Sequence, residues 1–464
     1  MNKKILLLNP PGKKLYIRDY YCSKVSQANY IYPPVDLVYI SGFLKNFELY
    51  FIDAIVKKFS VNYVLKKIRD IKPDYIISLI GAASLQEDME FIKKIKLYNE
   101  NLKIIVSGDV FKENPCEQLK KYQYIDAILT DFISEGILYY ILSEYKKVVD
   151  MVYRLDGEIV STISEKKFVK DVILPIPKHE LFVFLPYRHP FIYSKRFTVV
   201  LAAYGCPFKC AFCIIGKLGY RLRRVENVIE ELKYIKSIGI KEVLFLDQTF
   251  FANRDYYKLL CETMIKENFG LSWVCFSRVD VVDEETILLM KSAGCRTIIF
   301  GVESGDERIL EKYRKGYTPQ QVRKIIEFCS RINIQTVGTF ILGLPEETKE
   351  SMQKTLSFII SLPLDFISLN VAVPRRGTDL RKEVLELGLI DDNFDIMDQS
   401  GTKIAMPTMT LSKQEILNFR RKIVKKFYFR LRYIINALRK IKSIRELMIK
   451  INQALFLIKN TFNI

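Results

Sequence analysis

The sequence predicts an α/β protein in which a doubly wound, Rossmann-like domain precedes a partial (βα)6, TIM-like barrel and a basic helical C-terminal region. Three observations support this prediction. Apolar strand-like runs alternate with amphipathic helical patterns over residues 1–145 and again over 196–380, which is typical of parallel sheets covered by helices. A proline-rich stretch at 146–195 separates the two alternations and is expected to be a connector. Residues 381–464 are the third segment, and its last part, 411–464, carries most of the net positive charge of the chain.

The first domain has the pattern of an open parallel sheet. Five short apolar runs are predicted as strands: Lys4–Asn9, Glu48–Asp53, Tyr75–Ile80, Lys103–Ser107 and Ala127–Thr130. Segments between them with apolar residues at helical spacing are predicted as helices: Val35–Asn46, Val61–Ile71, Leu85–Tyr98, Glu117–Lys121 and Glu135–Glu144. Open sheets of this kind bind ligands beyond the carboxyl ends of their strands, so the residues after each strand are candidate ligand contacts.

The connector is predicted to lack regular elements. Its four prolines are Pro175, Pro177, Pro186 and Pro190, and both histidines of the chain, His179 and His189, also lie in it.

The second alternation predicts six strand–helix units of a parallel barrel. Its strands are Phe197–Ala203, Glu242–Asp247, Ser272–Phe276, Thr297–Gly301, Gln335–Leu342 and Phe366–Val371. Helices are predicted between them, for example Val225–Ser237, Asp283–Ser292 and Glu347–Ser361. In such barrels the chemistry takes place at the carboxyl ends of the strands.

Composition excludes several protein classes. With 464 residues, 49% of them hydrophobic, the chain is long enough for two or three domains. It has no run of 18 apolar residues, and the apolar run after Lys4 is too short for a signal peptide, so we expect a cytoplasmic protein. Nine scattered cysteines do not make a disulfide scaffold. Six isolated ones are expected to be small buried hydrophobic residues: Cys22, Cys116, Cys261, Cys275, Cys295 and Cys329.

The other three cysteines follow the first barrel strand as Cys206, Cys210 and Cys213. A compact loop with this spacing can place three thiolates around one cubic iron–sulfur cluster. Since such a cluster has four irons, one iron stays open to the amino and carboxylate groups of a small molecule. A structural zinc site would need a fourth Cys or His nearby. None follows within thirty residues, and the nearest upstream histidine is His189.

The loop, with Phe212 as the aromatic residue before the third cysteine, resembles the signature of radical S-adenosylmethionine (SAM) enzymes. Over roughly residues 1–435 the chain is similar to the subfamily with an N-terminal cobalamin-binding domain. That subfamily includes the anaerobic magnesium-protoporphyrin IX monomethyl ester cyclase and radical methyltransferases. The resemblance implies a [4Fe-4S] cluster on Cys206, Cys210 and Cys213 that cleaves SAM reductively. It further implies modification, chiefly methylation, of an unactivated carbon in a lipid-like or other secondary metabolite.

The resemblance also implies which residues contact SAM. Glu303 would accept hydrogen bonds from the ribose hydroxyls, and Arg278 would pair with the carboxylate. A surface carboxylate and a structural ion pair are the alternative interpretations of these two residues. The implied SAM contacts are Phe212, Asp247, Gln248, Arg278, Glu303, Ser304 and Gly343.

For cobalamin the implied contacts follow the strands of the first domain. They are Pro10, Pro11, Asp53, Ser84, Ser107 and Gly108. Where relatives often have Gly-Gly-Pro, this chain has Ser107-Gly108-Asp109, and the first domain contains no histidine that could serve as a lower ligand. The alternative is a domain that has kept the fold and lost the cofactor.

The C-terminal region contains 14 Lys/Arg and 2 Asp/Glu within residues 411–464, so it carries +12 of the net charge of +19. From Lys413 onward, apolar residues recur at helical spacing, which predicts either a docked structural helix or a helix lying on anionic lipid. Nucleic acid is not expected as a partner, because no RNA-binding module accompanies the charge. The expected partners are a small-molecule or lipid-like substrate, an electron donor such as flavodoxin or ferredoxin, and a peripheral membrane surface.

Other functions stay open at this point. They are a radical SAM cyclase or rearrangement enzyme without methyl transfer, an RNA-modifying radical SAM enzyme, and a membrane-associated protein whose cluster is structural.

Overall fold

The computed structural model of the protein describes residues 3–435, apart from 21, 27–28, 166–167, 402 and 432. Beyond 435 it describes only residues 441, 444, 446–449 and 451. The chain forms two compact units. The first consists of Met1–Ser26, Ile31–Lys167 and Asp171–Tyr187, and the second of Gln27–Tyr30, Phe168–Lys170 and Arg188–Ile464.

The first unit is built on a seven-stranded sheet in the order β4-β1-β5-β6-β7-β8-β9. The parallel strands β4-β1-β5-β6-β7 have the strand order of flavodoxin-like, doubly wound folds, as predicted. The strand β1 is wholly apolar between its ends and is buried from Ile5 to Leu8. The strands are β1 (Lys4–Asn9), β2 (Tyr16–Ile17), β3 (Lys24–Val25), β4 (Glu48–Asp53), β5 (Tyr75–Leu79), β6 (Lys103–Ser107), β7 (Ala127–Leu129), β8 (Met151–Leu155) and β9 (Glu158–Ser161). The helices are α1 (Val35–Phe43), α2 (Val61–Ile71), α3 (Leu85–Tyr98), α4 (Pro115–Lys121) and α5 (Gly136–Leu142).

The segment predicted as an irregular connector, 146–195, contains regular structure, so that prediction was wrong. Strands β8 and β9 form an antiparallel hairpin that extends the first sheet, with β8 paired to β7. The reason is the position of the prolines. All four lie at Pro175 or later, so the backbone N–H groups of residues 151–161 are free to join the ladder. A further strand, β10 (Phe168–Val172), begins with residues Phe168–Lys170, which belong to the second unit.

The second unit is built on six parallel strands in the order β11-β14-β15-β16-β17-β18, the sequential arrangement of a partial barrel. The predicted first strand divides into β11, which enters this sheet, and β12, which pairs with β13 instead. The strands are β11 (Phe197–Val200), β12 (Ala203–Gly205), β13 (Tyr220–Arg223), β14 (Glu242–Phe245), β15 (Ser272–Ser277), β16 (Cys295–Glu303), β17 (Gln335–Leu342) and β18 (Phe366–Val371). The helices are α6 (Val225–Ser237), α7 (Arg254–Glu267), α8 (Glu284–Ser292), α9 (Glu307–Lys312), α10 (Pro319–Arg331), α11 (Lys349–Ser361), α12 (Asp379–Glu386) and α13 (Lys413–Tyr428).

Side-chain caps set where the barrel helices begin. Asp283, Thr318 and Thr348 form capping boxes at the first residues of α8, α10 and α11. Each satisfies backbone N–H groups that the first helical turn leaves unpaired. The starts of α8 and α11 fix the lengths of the loops at the carboxyl ends of β15 and β17, and Asp306, the N-cap of α9, does the same after β16.

The helix α13 is docked on the second unit. Its apolar stripe of Ile416, Ile423 and Phe427 is fully buried, which fits the prediction of a structural helix. Most of 429–464 lies outside the described residues. Among the described residues, no helix is long and apolar enough to cross a membrane.

The isolated cysteines are buried at four of the six predicted positions. Cys261, Cys275, Cys295 and Cys329 are buried, whereas Cys22 and Cys116 are half-buried. For those two the prediction was wrong.

Candidate functional site

The three clustered cysteines lie on one loop between β12 and β13. The chain enters this loop through Gly205, whose φ of 80° lies in the left-handed region. A Cβ there would overlap the carbonyl oxygen of Gly219, and one at Gly216 would overlap the carbonyl oxygen of Phe208. The loop is therefore folded tightly on itself, as a loop must be to bring three separate thiols to one side.

Two hydrogen bonds fix the loop to the barrel. The Ala211 N–H donates to the Tyr313 carbonyl (3.1 Å), and the Leu380 N–H donates to the Ala211 carbonyl (3.0 Å). Ala211 itself is buried in a cluster with Tyr313 and Leu380. The end of α9 and the start of α12 thus hold the middle of the cysteine loop in place.

The thiols sit in a partly buried environment. Cys206 Sγ lies 3.5 Å from Thr249 Oγ1, and Cys210 Sγ accepts a hydrogen bond from Arg278 Nη1 (3.4 Å). Burial raises the pKa of the Cys206 thiol and raises that of Cys213 to about 12. Bound iron offsets this effect, because it stabilises the thiolate.

Three free cysteines on one loop are the ligand set of a cluster with one open iron. Among the described residues, no three His, Cys, Asp or Glu side chains converge on a single ion. A cubane instead takes each thiolate on a different iron, so the residues present fit that group.

A buried lysine that the sequence did not single out lies at the centre of the site. Lys315 is only 4% exposed. Its ammonium pairs with Glu303 Oε1 (3.1 Å) and lies 5.8 Å from the centre of the Phe212 ring. Its carbonyl accepts a hydrogen bond from Arg278. Burial alone would lower the pKa of Lys315, but the Glu303 carboxylate with Tyr317 and Cys210 raises it above its ordinary value. Lys315 therefore stays charged and joins three of the predicted SAM residues.

Arg278 is held on all sides by the chain itself. It makes two hydrogen bonds to the Asp280 carboxylate (2.9 and 2.7 Å), and its guanidinium carbon lies over the Phe208 ring, 3.8 Å from the ring centre. With its third nitrogen it contacts Cys210 Sγ. The structure thus places Arg278 beside a cluster ligand, and its predicted pairing with the SAM carboxylate stays a prediction.

Glu303 ends β16 in a strained conformation. Its φ is 67°, and the register with β17 shifts between Gly301 and Glu303. A non-glycine residue in this region is costly, and such strain concentrates at functional sites. Its Oε1 pairs with Lys315, and Oε2 makes no hydrogen bond within the described part of the chain. Lys315 therefore compensates the charge of this carboxylate and holds it in place, and the contact of Glu303 with ribose hydroxyls stays a prediction.

Asp247 lies behind the cysteine loop. It is fully buried and accepts a hydrogen bond from the Ala203 N–H at the start of β12. Its Oδ2 has no partner among the described residues, and burial raises the pKa of this carboxyl to about 8. The neighbouring Gln248 side chain donates to the Leu246 carbonyl (3.2 Å). Asp247 therefore positions the strand that leads into the loop.

The last two predicted SAM residues shape neighbouring loops. Ser304 Oγ lies 3.1 Å from Thr355 Oγ1 on α11 and accepts from the Asp306 N–H at the start of α9. Gly343, with a φ of 86°, donates its N–H to Glu347 (2.7 Å). Their contact with SAM stays a prediction.

At the carboxyl edge of the first sheet, a buried arginine engages three of the predicted cobalamin residues. Arg18 donates to the carbonyls of Pro10 (2.9 Å) and Pro11 (3.4 Å) and to Ser84 Oγ (3.1 Å). It also forms a buried ion pair with Asp88 (2.6 Å). No spacing in the sequence indicated this pair. It fixes the segment after β1 across the edge of the sheet.

The other predicted cobalamin residues differ in whether their polar atoms already have hydrogen-bond partners. Asp53 accepts a hydrogen bond from the Tyr187 hydroxyl (2.8 Å). Ser107 Oγ, in contrast, is buried and has no partner among the described residues. Gly108, at a φ of 151°, comes so close to the Ile80 carbonyl that a Cβ would overlap it. The glycine at 108 is therefore required by the Ile80 backbone, and the unpaired hydroxyl of Ser107 is the feature that fits a contact with a cofactor.

Comparison with known proteins decides the nature of the second unit. Residues 200–359 match the domain of the radical SAM superfamily, and this range contains the cysteine loop and most of the barrel strands. The chain carries a radical SAM domain. Such a domain implies a [4Fe-4S] cluster and SAM as its cofactors, which agrees with the three-thiol loop.

Curated relatives match the radical SAM domain together with the first unit. An uncharacterized methyltransferase of Pyrococcus horikoshii is 29% identical over 452 residues, which is 93% of this chain and 94% of that protein. The anaerobic magnesium-protoporphyrin IX monomethyl ester cyclase of Rubrivivax gelatinosus is 24% identical over 443 residues, which is 89% of this chain and 78% of that protein.

Solved structures show the same fold. TsrM of Kitasatospora setae, a radical SAM methyltransferase solved with cobalamin and a [4Fe-4S] cluster, has a TM-score of 0.69 at 14% identity, covering 100% of this chain and 99% of that chain. OxsB, a cobalamin-dependent SAM radical enzyme, has a TM-score of 0.67 at 16% identity, covering 98% of this chain and 72% of that chain. The likeness confirms the predicted order of a Rossmann-like domain and a radical SAM domain. The match of residues 200–359 to the radical SAM superfamily confirms the prediction of a radical SAM enzyme.

Proposed function

We propose that this protein is a cobalamin-dependent radical SAM methyltransferase that acts on an unactivated carbon of a lipid-like or other secondary metabolite. One observation carries the proposal: the three-thiol loop stands at the mouth of a partial barrel that follows a doubly wound sheet. The fold of TsrM, which binds both cobalamin and a [4Fe-4S] cluster, covers the whole chain. Methyl transfer is further supported by the similarity to the uncharacterized methyltransferase of Pyrococcus horikoshii.

The residues of the chain have distinct tasks in this proposal. The cluster, held by Cys206, Cys210 and Cys213, supplies one electron for SAM cleavage when it is bound. Lys315 neutralises the Glu303 carboxylate, so that its second oxygen can orient the ribose without a buried net charge.

Around the cysteine loop, Arg278 and Asp247 act as positioning residues. Arg278 holds the Cys210 thiol from one side, and Asp247 holds the strand before the loop. In the first unit, Ser107 and Gly108 would line bound cobalamin, which would supply the methyl carrier.

The test uses full-length protein prepared without oxygen. We expect its absorption spectrum to show both a [4Fe-4S] cluster and cobalamin. With SAM labelled on the methyl group and a reductant, it should release 5′-deoxyadenosine. Substituting Cys210→Ala should abolish that product, whereas Cys116→Ala, which changes an isolated cysteine in the first unit, should leave it unchanged. Protein that takes up no iron, or a Cys210→Ala variant with full activity, would refute the proposal.

A second candidate is ring closure or rearrangement without methyl transfer. The similarity to the anaerobic cyclase of Rubrivivax gelatinosus over 89% of this chain favours it. SAM labelled on the methyl group distinguishes methyl transfer from ring closure or rearrangement. Label in the product indicates methyl transfer, and 5′-deoxyadenosine with all label left in methionine indicates the cyclase type of reaction.

A further inference from the structure

The loop that follows β17 is attached to the segment that precedes α13. It runs from Gly343 to Glu347 and contains one predicted SAM contact, Gly343; we call it the Gly343 loop. Thr410 Oγ1 donates to the Glu347 carbonyl (3.2 Å), and the Met409 N–H donates to the Pro345 carbonyl (2.9 Å). The C-terminal region therefore holds this loop by its backbone, although Thr410 is 63 residues from Glu347 in the sequence.

Inside the loop, Glu347 holds the backbone of Gly343. Its carboxylate is fully buried, and Oε2 accepts hydrogen bonds from the Gly343 N–H (2.7 Å) and the Leu344 N–H (3.1 Å). Gly343 has a φ of 86°, and a glycine has more conformational freedom than any other residue. The position of Gly343 therefore depends on what packs against it as well as on this hydrogen bond.

The packing contact comes from α13. Ile416 is fully buried, and its Cδ1 and Cγ2 lie 3.4 and 3.6 Å from the place that a Cβ on Gly343 would occupy. A capping box between Ser412 and Glu415 fixes the start of α13 and with it the position of Ile416.

The Gly343 loop also reaches the cysteine loop. Leu344, the residue after Gly343, is buried in the same apolar cluster as Ala211 of the cysteine loop. The Gly343 loop therefore connects α13 with the loop that carries the three thiols.

We propose that Ile416 is a positioning residue for SAM, which supports Gly343 from the side of α13 and keeps the Gly343 loop in the shape that binds the cofactor. This inference rests on the proposed function and on the predicted contact of Gly343 with SAM. The match to the radical SAM domain ends at residue 359. In this proposal α13 contributes to the cofactor site from outside the matched range.

The test removes methyl groups from Ile416 and measures SAM binding by equilibrium dialysis, with full-length protein reconstituted with iron and sulfide. Ile416→Val deletes Cδ1, the atom nearest to Gly343, and should raise the Kd for SAM about threefold. Ile416→Ala deletes the whole contact and should raise it about tenfold.

Matched controls are Ile423→Val and Ile423→Ala, which shorten another fully buried isoleucine about two turns later on α13. They remove the same groups from a buried site, so they should lower the Tm to a similar degree. Their Kd for SAM should change less than about twofold.

Iron content separates SAM positioning from loss of the cluster. We expect wild-type iron in both valine variants, because the cysteine loop is hydrogen-bonded to Tyr313 and Leu380 and not through α13. The KM for SAM in 5′-deoxyadenosine formation should rise in Ile416→Val with little change in kcat. Equal Kd values for the Ile416 and Ile423 variants, or loss of iron from Ile416→Val, would overturn the proposal. Iron-loaded wild-type protein that binds no SAM would instead contradict the proposed function itself.

Discussion

At the level of single residues, Lys315 connects Glu303, Arg278 and Phe212, which come from separate segments of the barrel. A buried ammonium opposite a buried carboxylate is stable only as a pair, since removal of either partner leaves an unpaired buried charge. The same pair sets the charge around any ligand that reaches Glu303.

Substituting Lys315→Met should therefore weaken SAM binding about tenfold and lower stability by about 3 kcal/mol. Lys315→Arg keeps the charge and should retain most of the affinity. The control is Lys312→Met, which removes a partly exposed lysine paired with Glu346. Equilibrium dialysis with SAM on reconstituted protein measures the effect. A Met variant that carries full iron and binds SAM as the wild type does would show that the charge is not needed.

A second prediction concerns the pH dependence of stability, because burial raises the pKa of Asp247 to about 8. An unfolded aspartate has a pKa of about 4. Between about pH 4 and 8 the folded protein thus binds the proton that the unfolded chain has lost, so Asp247 makes stability fall as pH rises. Asp247→Asn keeps an oxygen for the Ala203 N–H and should flatten this part of the profile. Urea unfolding at pH 5 and pH 8 measures it, with the exposed Asp391→Asn as control. Parallel profiles for wild type and Asp247→Asn would contradict the prediction.

Among the elements, the cysteine loop depends on backbone geometry at Gly205. Gly205 and Gly239 both have a φ of 80°, but only Gly205 has backbone in the space of a side chain. Substitutions at Gly205 and Gly239 would therefore share the conformational strain of a positive φ, and only the one at Gly205 would add a steric overlap.

Gly205→Ala should therefore prevent the loop from closing and reduce the iron bound per chain after reconstitution. Gly239→Ala, with nothing within 4 Å of its Cβ, should cost only about 1 kcal/mol and leave the iron content unchanged. Iron analysis and thermal unfolding of both variants test this. Equal iron in the two variants would show that the close approach of the loop to β13 is not required.

The elements also show where sequence reasoning succeeds. The parallel strands and the cysteine loop were predicted because their signals are local: continuous apolar runs, and three cysteines with one short spacing. The hairpin β8–β9 was missed because proline content was assigned to the whole segment, although the prolines begin only at Pro175. Lys315 and the pair of Arg18 with Asp88 could not be predicted, because lysines and arginines are usually exposed and only tertiary packing buries these.

At the scale of the whole molecule, positive charge is concentrated in residues 411–464. The helix α13 buries its apolar stripe, and after it the described residues expose Phe429, Leu431, Ile434 and Ile435. Lysine and arginine are frequent over the same stretch of sequence. Apolar and basic side chains together favour an anionic lipid surface, which keeps a peripheral membrane partner as a proposal.

We therefore expect the full-length protein to sediment with vesicles of phosphatidylglycerol and not with vesicles of phosphatidylcholine, and to be released by salt. Leu431→Glu with Ile434→Glu should weaken this binding. The control is Leu97→Glu, since Leu97 is 72% exposed on α3 in the first unit, against 78% for Leu431. Sedimentation that is the same for all variants would rule out the C-terminal region as the lipid contact.

The buried pair of Arg18 and Asp88 limits how this protein can be re-engineered. Arg18 lies in the stretch after β1 and Asp88 lies in α3, seventy residues further along the chain. A chimera that takes residues 12–32 from a homologue without the arginine would leave Asp88 as a lone anion in the interior, and the graft would be expected to misfold. Segment exchanges in this domain should therefore replace Arg18 and Asp88 together.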